Sequence, residues 1–117
     1  MKETEISTLT SDEIKVLSIF KERVKQEFNV RKVILFGSRS RGDHSLESDI
    51  DLLVLVDEPK NRNNRERLSD IKFDVIMEQH AYLSPMLENY HDWENGTDAI
   101  SHPLRDNILE EGIEIDL

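Results

Sequence analysis

Val33-Ile-Leu-Phe-Gly37-Ser-Arg-Ser-Arg-Gly42-Asp-His-Ser-Leu-Glu-Ser48-Asp49-Ile-Asp51-Leu-Leu-Val-Leu-Val-Asp57 is the stretch around which the rest of the chain is arranged. Its first four residues form an apolar run of strand length, which Gly37-Ser38 ends as a sharp turn does. A second apolar run, Leu52 to Val56, is opened by Asp49, Ile50 and Asp51. Side chains alternate faces along a strand, so the two acids point one way and Ile50 points to the core. Two rises of about 3.3 Å put their Cα atoms roughly 6.5 Å apart. Carboxylates so spaced converge on one divalent cation or on a close pair, and without a cation they repel.

Working outward, Thr10 or Ser11 caps a helix that carries Asp12 and Glu13 in its first turn, where the helix dipole favours acid. Ile14, Leu17, Val24 and Phe28 recur at helical spacing, widened by Val16, Ile19 and Phe20, as expected of an amphipathic packing helix. Asn29 ends it and Val30 to Phe36 is the first strand. Ser38 to Arg41 is expected to form one helical turn closed by Gly42, Asp43 to Ser48 a polar loop, and Asp49 to Val56 the second strand.

Beyond Pro59 a short exposed helix is expected through about Ser69. It holds the chain's one basic concentration, Lys60, Arg62, Arg65 and Arg67, a pattern that more often marks a solvated face than a phosphate or protein contact. Lys72 to Met77 reads as a third strand that places Asp74 among Phe73, Val75 and Ile76. An acid there is expensive unless it is paired or bound to a cation. Ser84-Pro85 resembles a helix start with Met86, Leu87, Tyr90 and Trp93 as its apolar face, and Asn95-Gly96 marks a turn. Pro103 opens a last helix bearing Leu104, Ile108 and Leu109, which Gly112 ends before the alternation Ile113, Ile115, Leu117.

Composition narrows the function classes. The 117 residues fit one α/β domain, 1–117, with a modest core. There is no cysteine, which excludes disulfides and thiolate metal sites. Met1 to Thr10 is polar, unlike a signal peptide, and no apolar run reaches membrane-spanning length, so a cytoplasmic setting is expected. The net charge of −10 opposes a nonspecific nucleic-acid surface and favours basic protein partners, though metal ions can still bridge an acidic chain to a nucleotide. His44, His80, His91 and His102 offer no helical i, i+4 zinc pair, and neither a nucleophile elbow nor a P-loop lysine occurs.

Gly37-Ser38, ten residues, then Asp49-x-Asp51 is a GSx10DxD pattern set between two strands. Leu35-Phe36-Gly37-Ser38-Arg39-Ser40-Arg41-Gly42 and Ser48-Asp49-Ile50-Asp51-Leu52 resemble the core of the minimal nucleotidyltransferase (MNT) branch of the DNA polymerase β superfamily. Ser40 stands where that family often has alanine. The resemblance covers roughly residues 10 to 77, and the ending from Pro103 is similar to the tails of small members. It implies a polymerase-β-like fold, a small mixed β-sheet flanked by helices. It implies Gly37 and Ser38, with Arg39 or Arg41, on the triphosphate of ATP, and Asp49, Asp51 and Asp74 on Mg²⁺, two ions being usual. Asp74 would also help deprotonate the acceptor. Small stand-alone members resemble the antitoxins of HEPN/MNT toxin–antitoxin pairs, which AMPylate a tyrosine of the HEPN-domain toxin. The other readings are an aminoglycoside-type transferase, for which the chain is expected to be too short to carry the extra domain that holds the acceptor, and a non-catalytic module that covers a toxin.

Overall fold

The computed structural model describes residues 9–37, 49–97, 100 and 102–115. Its elements, in chain order, are α1 (Ser11–Glu27), β1 (Val30–Phe36), β2 (Ile50–Val56), α2 (Arg62–Gln79), β3 (Leu83–Asn89), α3 (Tyr90–Asn95), α4 (His102–Glu111) and β4 (Ile113–Glu114). The four strands form one mixed sheet in the order β3-β2-β1-β4. β1 lies antiparallel to β2 and to β4, and β3 runs parallel to β2. This is the α/β architecture expected from the sequence.

β2 is one of the two inner strands, and its sequence says why. Ile50 and Leu52 to Val56 are each at most 1 % exposed, so both faces of the strand are covered, as a near-continuous aliphatic run requires. Ile50, Leu52, Val54 and Val56 pack with Leu17, Phe20 and Val24 of α1 and with Leu68, Ile71 and Val75 of α2. Leu53 and Leu55 face the other way, toward Ile34, Phe36, Trp93 of α3 and Ile108 of α4. The sheet therefore separates an α1/α2 layer from an α3/α4 layer.

α1 begins as expected, with Thr10 as N-cap. Its hydroxyl accepts from the Glu13 amide at 3.1 Å while the Glu13 carboxylate accepts from the Thr10 amide at 2.9 Å, a reciprocal capping box. The end of the chain follows expectation in its helix, its Gly112 stop and its short strand, but Leu109, expected on the apolar face, is 51 % exposed, and Leu117 lies outside the described residues. α4 gives way at Gly112 to β4, and the Ile115 amide donates to the Val33 carbonyl at 2.8 Å.

Between Pro59 and Gly96 three expectations fail. Lys72 to Met77 is not a strand, and the helix does not stop near Ser69: α2 is one helix of 18 residues. Asn61 caps it by accepting from the Asn64 amide at 2.8 Å. The physical reason lies in the buried positions Asn64, Leu68, Ile71 and Val75, whose spacing of four, three and four is helical. Phe73 and Met77, which resembled strand residues, stand outward at 60 % and 61 % exposure. His80 then takes a left-handed conformation at φ 55° and turns the chain into β3. Ser84-Pro85 does not start a helix but lies within β3. The Ile50 amide donates to the Tyr82 carbonyl at 2.9 Å, and in a parallel ladder that turns the backbone groups of Ser84, Met86 and Glu88 toward β2. Pro85 falls on the outward side, where no donor is needed. The helix expected to carry Met86, Leu87, Tyr90 and Trp93 is only α3, and Gly96 ends it in a left-handed conformation, the turn expected at Asn95-Gly96.

Candidate active site

The two acids of the opening stretch stand at the entry to β2. Asp51 is half-buried and paired in register with Phe36 of β1 on one side and Ser84 of β3 on the other, and Asp49 is exposed just before the strand. Strand alternation turns Asp51 to the side of Leu53 and Leu55, the α3/α4 layer, and Asp49 shares that side. Burial first, and the Asp49 charge second, push the Asp51 carboxyl above its ordinary value. Among the described residues nothing offsets the negative charge that the pair holds. Hard oxygen donors carrying mutual repulsion suit a hard divalent cation, which would remove the repulsion.

Gly37 closes the site from β1. It ends the strand at φ +77°, and a Cβ built there would lie 2.5 Å from Asp51 Oδ2. The glycine is required twice, by the left-handed backbone and by the space the carboxylate occupies. Sequence reasoning assigned Gly37 to close approach of a phosphate and missed its service to Asp51. Only the register Phe36 to Asp51 reveals that contact. Ser38, Arg39 and Arg41, together with the expected helical turn and loop through Ser48, lie outside the described residues.

Asp74 is not brought to this pair. It lies on α2, whose buried face packs on the opposite side of the sheet from Asp51. There it is exposed and adds to the field on Arg23 of α1. Arg23 itself forks onto Glu78 with two contacts of 2.7 Å, an exposed pair that raises the guanidinium's proton affinity and lowers the Glu78 carboxyl. The strand that does run beside β2 places Ser84 opposite Asp51. Its one acid, Glu88, lies four residues further on, buried and bound to Lys60 at 2.5 Å. Among the described residues no third His, Cys, Asp or Glu joins Asp49 and Asp51.

Comparison with known proteins agrees with this geometry. The family model described as nucleotidyltransferase domain matches residues 17–115. In Methanocaldococcus jannaschii, "Putative protein adenylyltransferase MJ0604" is 28% identical over 103 residues, covering 86% of this chain and 95% of that protein. "Putative protein adenylyltransferase MJ0141" of the same organism is 32% identical over 79 residues, 63% of this chain and 80% of its own. Among solved structures, a minimal nucleotidyltransferase superposes with a TM-score of 0.54 at 25% identity, over 94% of this chain and 95% of the other. A toxin–antitoxin crystal structure with AMP-PNP gives a TM-score of 0.59 at 16% identity, over 90% and 72%. That second likeness is one of fold.

Proposed function

The chain belongs to the nucleotidyltransferase domain family, and within it we propose an ATP-dependent, Mg²⁺-requiring protein adenylyltransferase, residues 1–117 acting as one domain. The observation that carries the reading is the pair Asp49 and Asp51 at the mouth of a buried strand, with Gly37 shaped around Asp51. These two carboxylates would hold the cation, which when bound offsets the charge of the triphosphate. Gly37 leaves backbone room for the phosphates, and Ser38, Arg39 and Arg41 follow it in sequence as further phosphate contacts. The acceptor oxygen attacks the α-phosphorus of ATP, the α–β bridging bond breaks and pyrophosphate leaves. The acceptor's proton leaves to solvent.

The acceptor in this reading is a protein hydroxyl, a tyrosine of a HEPN-domain toxin, which would make the chain an antitoxin of the cytoplasm. Support comes from the adenylyltransferase names of the M. jannaschii relatives and of the Thermococcus cleftensis protein adenylyltransferase MntA, 37% identical over 54 residues, 45% of this chain and 54% of that protein. No helix among the described residues is long and apolar enough to cross a membrane. Incubation of the chain with ATP, Mg²⁺ and a HEPN-domain protein should add AMP to that protein, seen by intact mass, and Asp49→Asn or Asp51→Asn should abolish the addition.

One observation favours a second reading. Ser84 stands opposite Asp51 on the neighbouring strand, and of the three acids that the resemblance implies only Asp49 and Asp51 come together among the described residues. A non-catalytic toxin-binding module fits that reduced set, and it would leave the partner unmodified yet neutralised equally by parent and Asp49→Asn.

A further inference from the structure

Tyr82 stands at the entry to β3 as Asp49 stands at the entry to β2. The Ile50 amide donates to the Tyr82 carbonyl at 2.9 Å and Ile50 pairs with Leu83, so Tyr82 lies beside Asp49 in the parallel register. Ala81 and Leu83, on either side of it in the chain, both pack into the α1/α2 layer. Alternation along the extended backbone therefore turns the Tyr82 side chain to the other face of the sheet, the face of Asp49 and Asp51. Tyr82 is 65 % exposed, and among the described residues its hydroxyl meets no hydrogen-bond partner. The core makes little use of the ring and the fold makes none of the hydroxyl.

The order across the sheet gives that hydroxyl a direction. Phe36, Asp51 and Ser84 lie side by side on β1, β2 and β3, with about 4.8 Å between neighbouring strands. Gly37 therefore ends its strand on one side of the acidic pair, and Tyr82 enters its strand on the other. In an in-line displacement the attacking oxygen and the leaving group lie on opposite sides of the phosphorus. With the β- and γ-phosphates toward Gly37 and the α-phosphorus over the acids, attack comes from the β3 side. Ser84 also faces this side, but its short side chain keeps the hydroxyl at the level of the strand, half-buried. The tyrosine carries its hydroxyl above the sheet. We propose that the chain adenylylates itself on Tyr82. The phenol oxygen bonds to the α-phosphorus of ATP, the α–β bridging bond breaks, pyrophosphate leaves and the phenolic proton goes to solvent. The inference rests on the adenylyltransferase reading and adds to it an acceptor within the same molecule.

The test is incubation of the parent chain with ATP and Mg²⁺ and no other protein, followed by intact mass and by peptide mapping. The expected result is one AMP per chain, mapped to Tyr82. It should be lost in Tyr82→Phe and in Asp49→Asn and kept in Tyr90→Phe, which changes the chain's other tyrosine. The fraction of chain modified per minute should not change when its concentration is raised tenfold, because the acceptor belongs to the same molecule. A fraction that rises with concentration means transfer between copies and overturns the inference, as does AMP mapped to Ser84 or Tyr90. Modification of a HEPN-domain protein by a preparation that leaves Tyr82 unmodified also overturns it, while the adenylyltransferase reading stands. AMP on neither protein removes that reading and the inference with it.

Discussion

Gly37 and Asp51 occupy one space: a Cβ on the first would sit 2.5 Å from a carboxylate oxygen of the second. The link joins the end of β1 to the start of β2. Gly37→Ala must both hold a left-handed backbone, at about 1–2 kcal/mol, and displace the Asp51 carboxylate. It is expected to lower stability by about that amount in thermal melting. In the proposed reading nucleotidyl transfer should fall at least tenfold, because the carboxylate would be displaced from where it holds the cation.

The Asp51 carboxyl, held above its ordinary value of 3.8 by burial and by Asp49, has a defined effect on stability. A carboxyl whose folded value is raised binds its proton more tightly in the native state. Its contribution is therefore greatest below 3.8 and is lost as pH rises through the raised value. At neutral pH and without divalent ions, Asp51→Asn should melt above the parent. The difference should vanish in acid. Added Mg²⁺ should raise the melting temperature of the parent more than that of the variant, and equal shifts in both would count against cation binding by the pair.

Asp74 is expected to be dispensable. It stands on α2 across the sheet from Asp51, within the field of Arg23 and Glu78. Asp74→Asn should leave transfer within twofold of the parent and stability within about 0.5 kcal/mol, as exposed substitutions do. A hundredfold loss of turnover with unchanged melting would return the residue to the active site.

Lys60 and Glu88 form the pair most sensitive to removal of one member. Glu88 is 2 % exposed and Lys60 about a third exposed. Lys60→Met leaves a buried carboxylate without its cation, for which about 2 kcal/mol is expected, below the full buried-pair value because Lys60 is partly solvated. Lys60→Met/Glu88→Gln should recover most of that loss, a coupling that a double-mutant cycle in urea would measure.

The capping box at Thr10 gives a test of the fold alone. Thr10→Ala removes the acceptor for the Glu13 amide and should cost about 1 kcal/mol with transfer unchanged.

How much of this was legible in the sequence depends on where the chain's instructions are local. α1 could be read because Thr10, Glu13 and the spacing of Leu17, Phe20 and Val24 state the cap and the buried face within one segment. β1 and β2 could be read because their apolar runs are of strand length and the turn after Phe36 is marked by glycine. α2 and β3 were exchanged because Phe73, Val75 and Ile76 resemble a strand in isolation, and because Pro85 is as acceptable at a sheet edge as at a helix start. That one exchange moved Asp74 to the wrong side of the sheet. The pairing of Asp51 with Ser84, and the place of Tyr82 beside Asp49, depend on register between distant segments, which no local pattern encodes.

β2 divides its labour along its length. Everything from Leu52 onward is buried and holds the layers together, while the acids occupy only its first turnings toward solvent. A lineage could therefore lose both carboxylates by drift and keep its sheet and its helices. Descent from an enzyme to a silent binder is short in this architecture, and the return is as short: two substitutions at the mouth of one strand, on a scaffold that never had to be rebuilt.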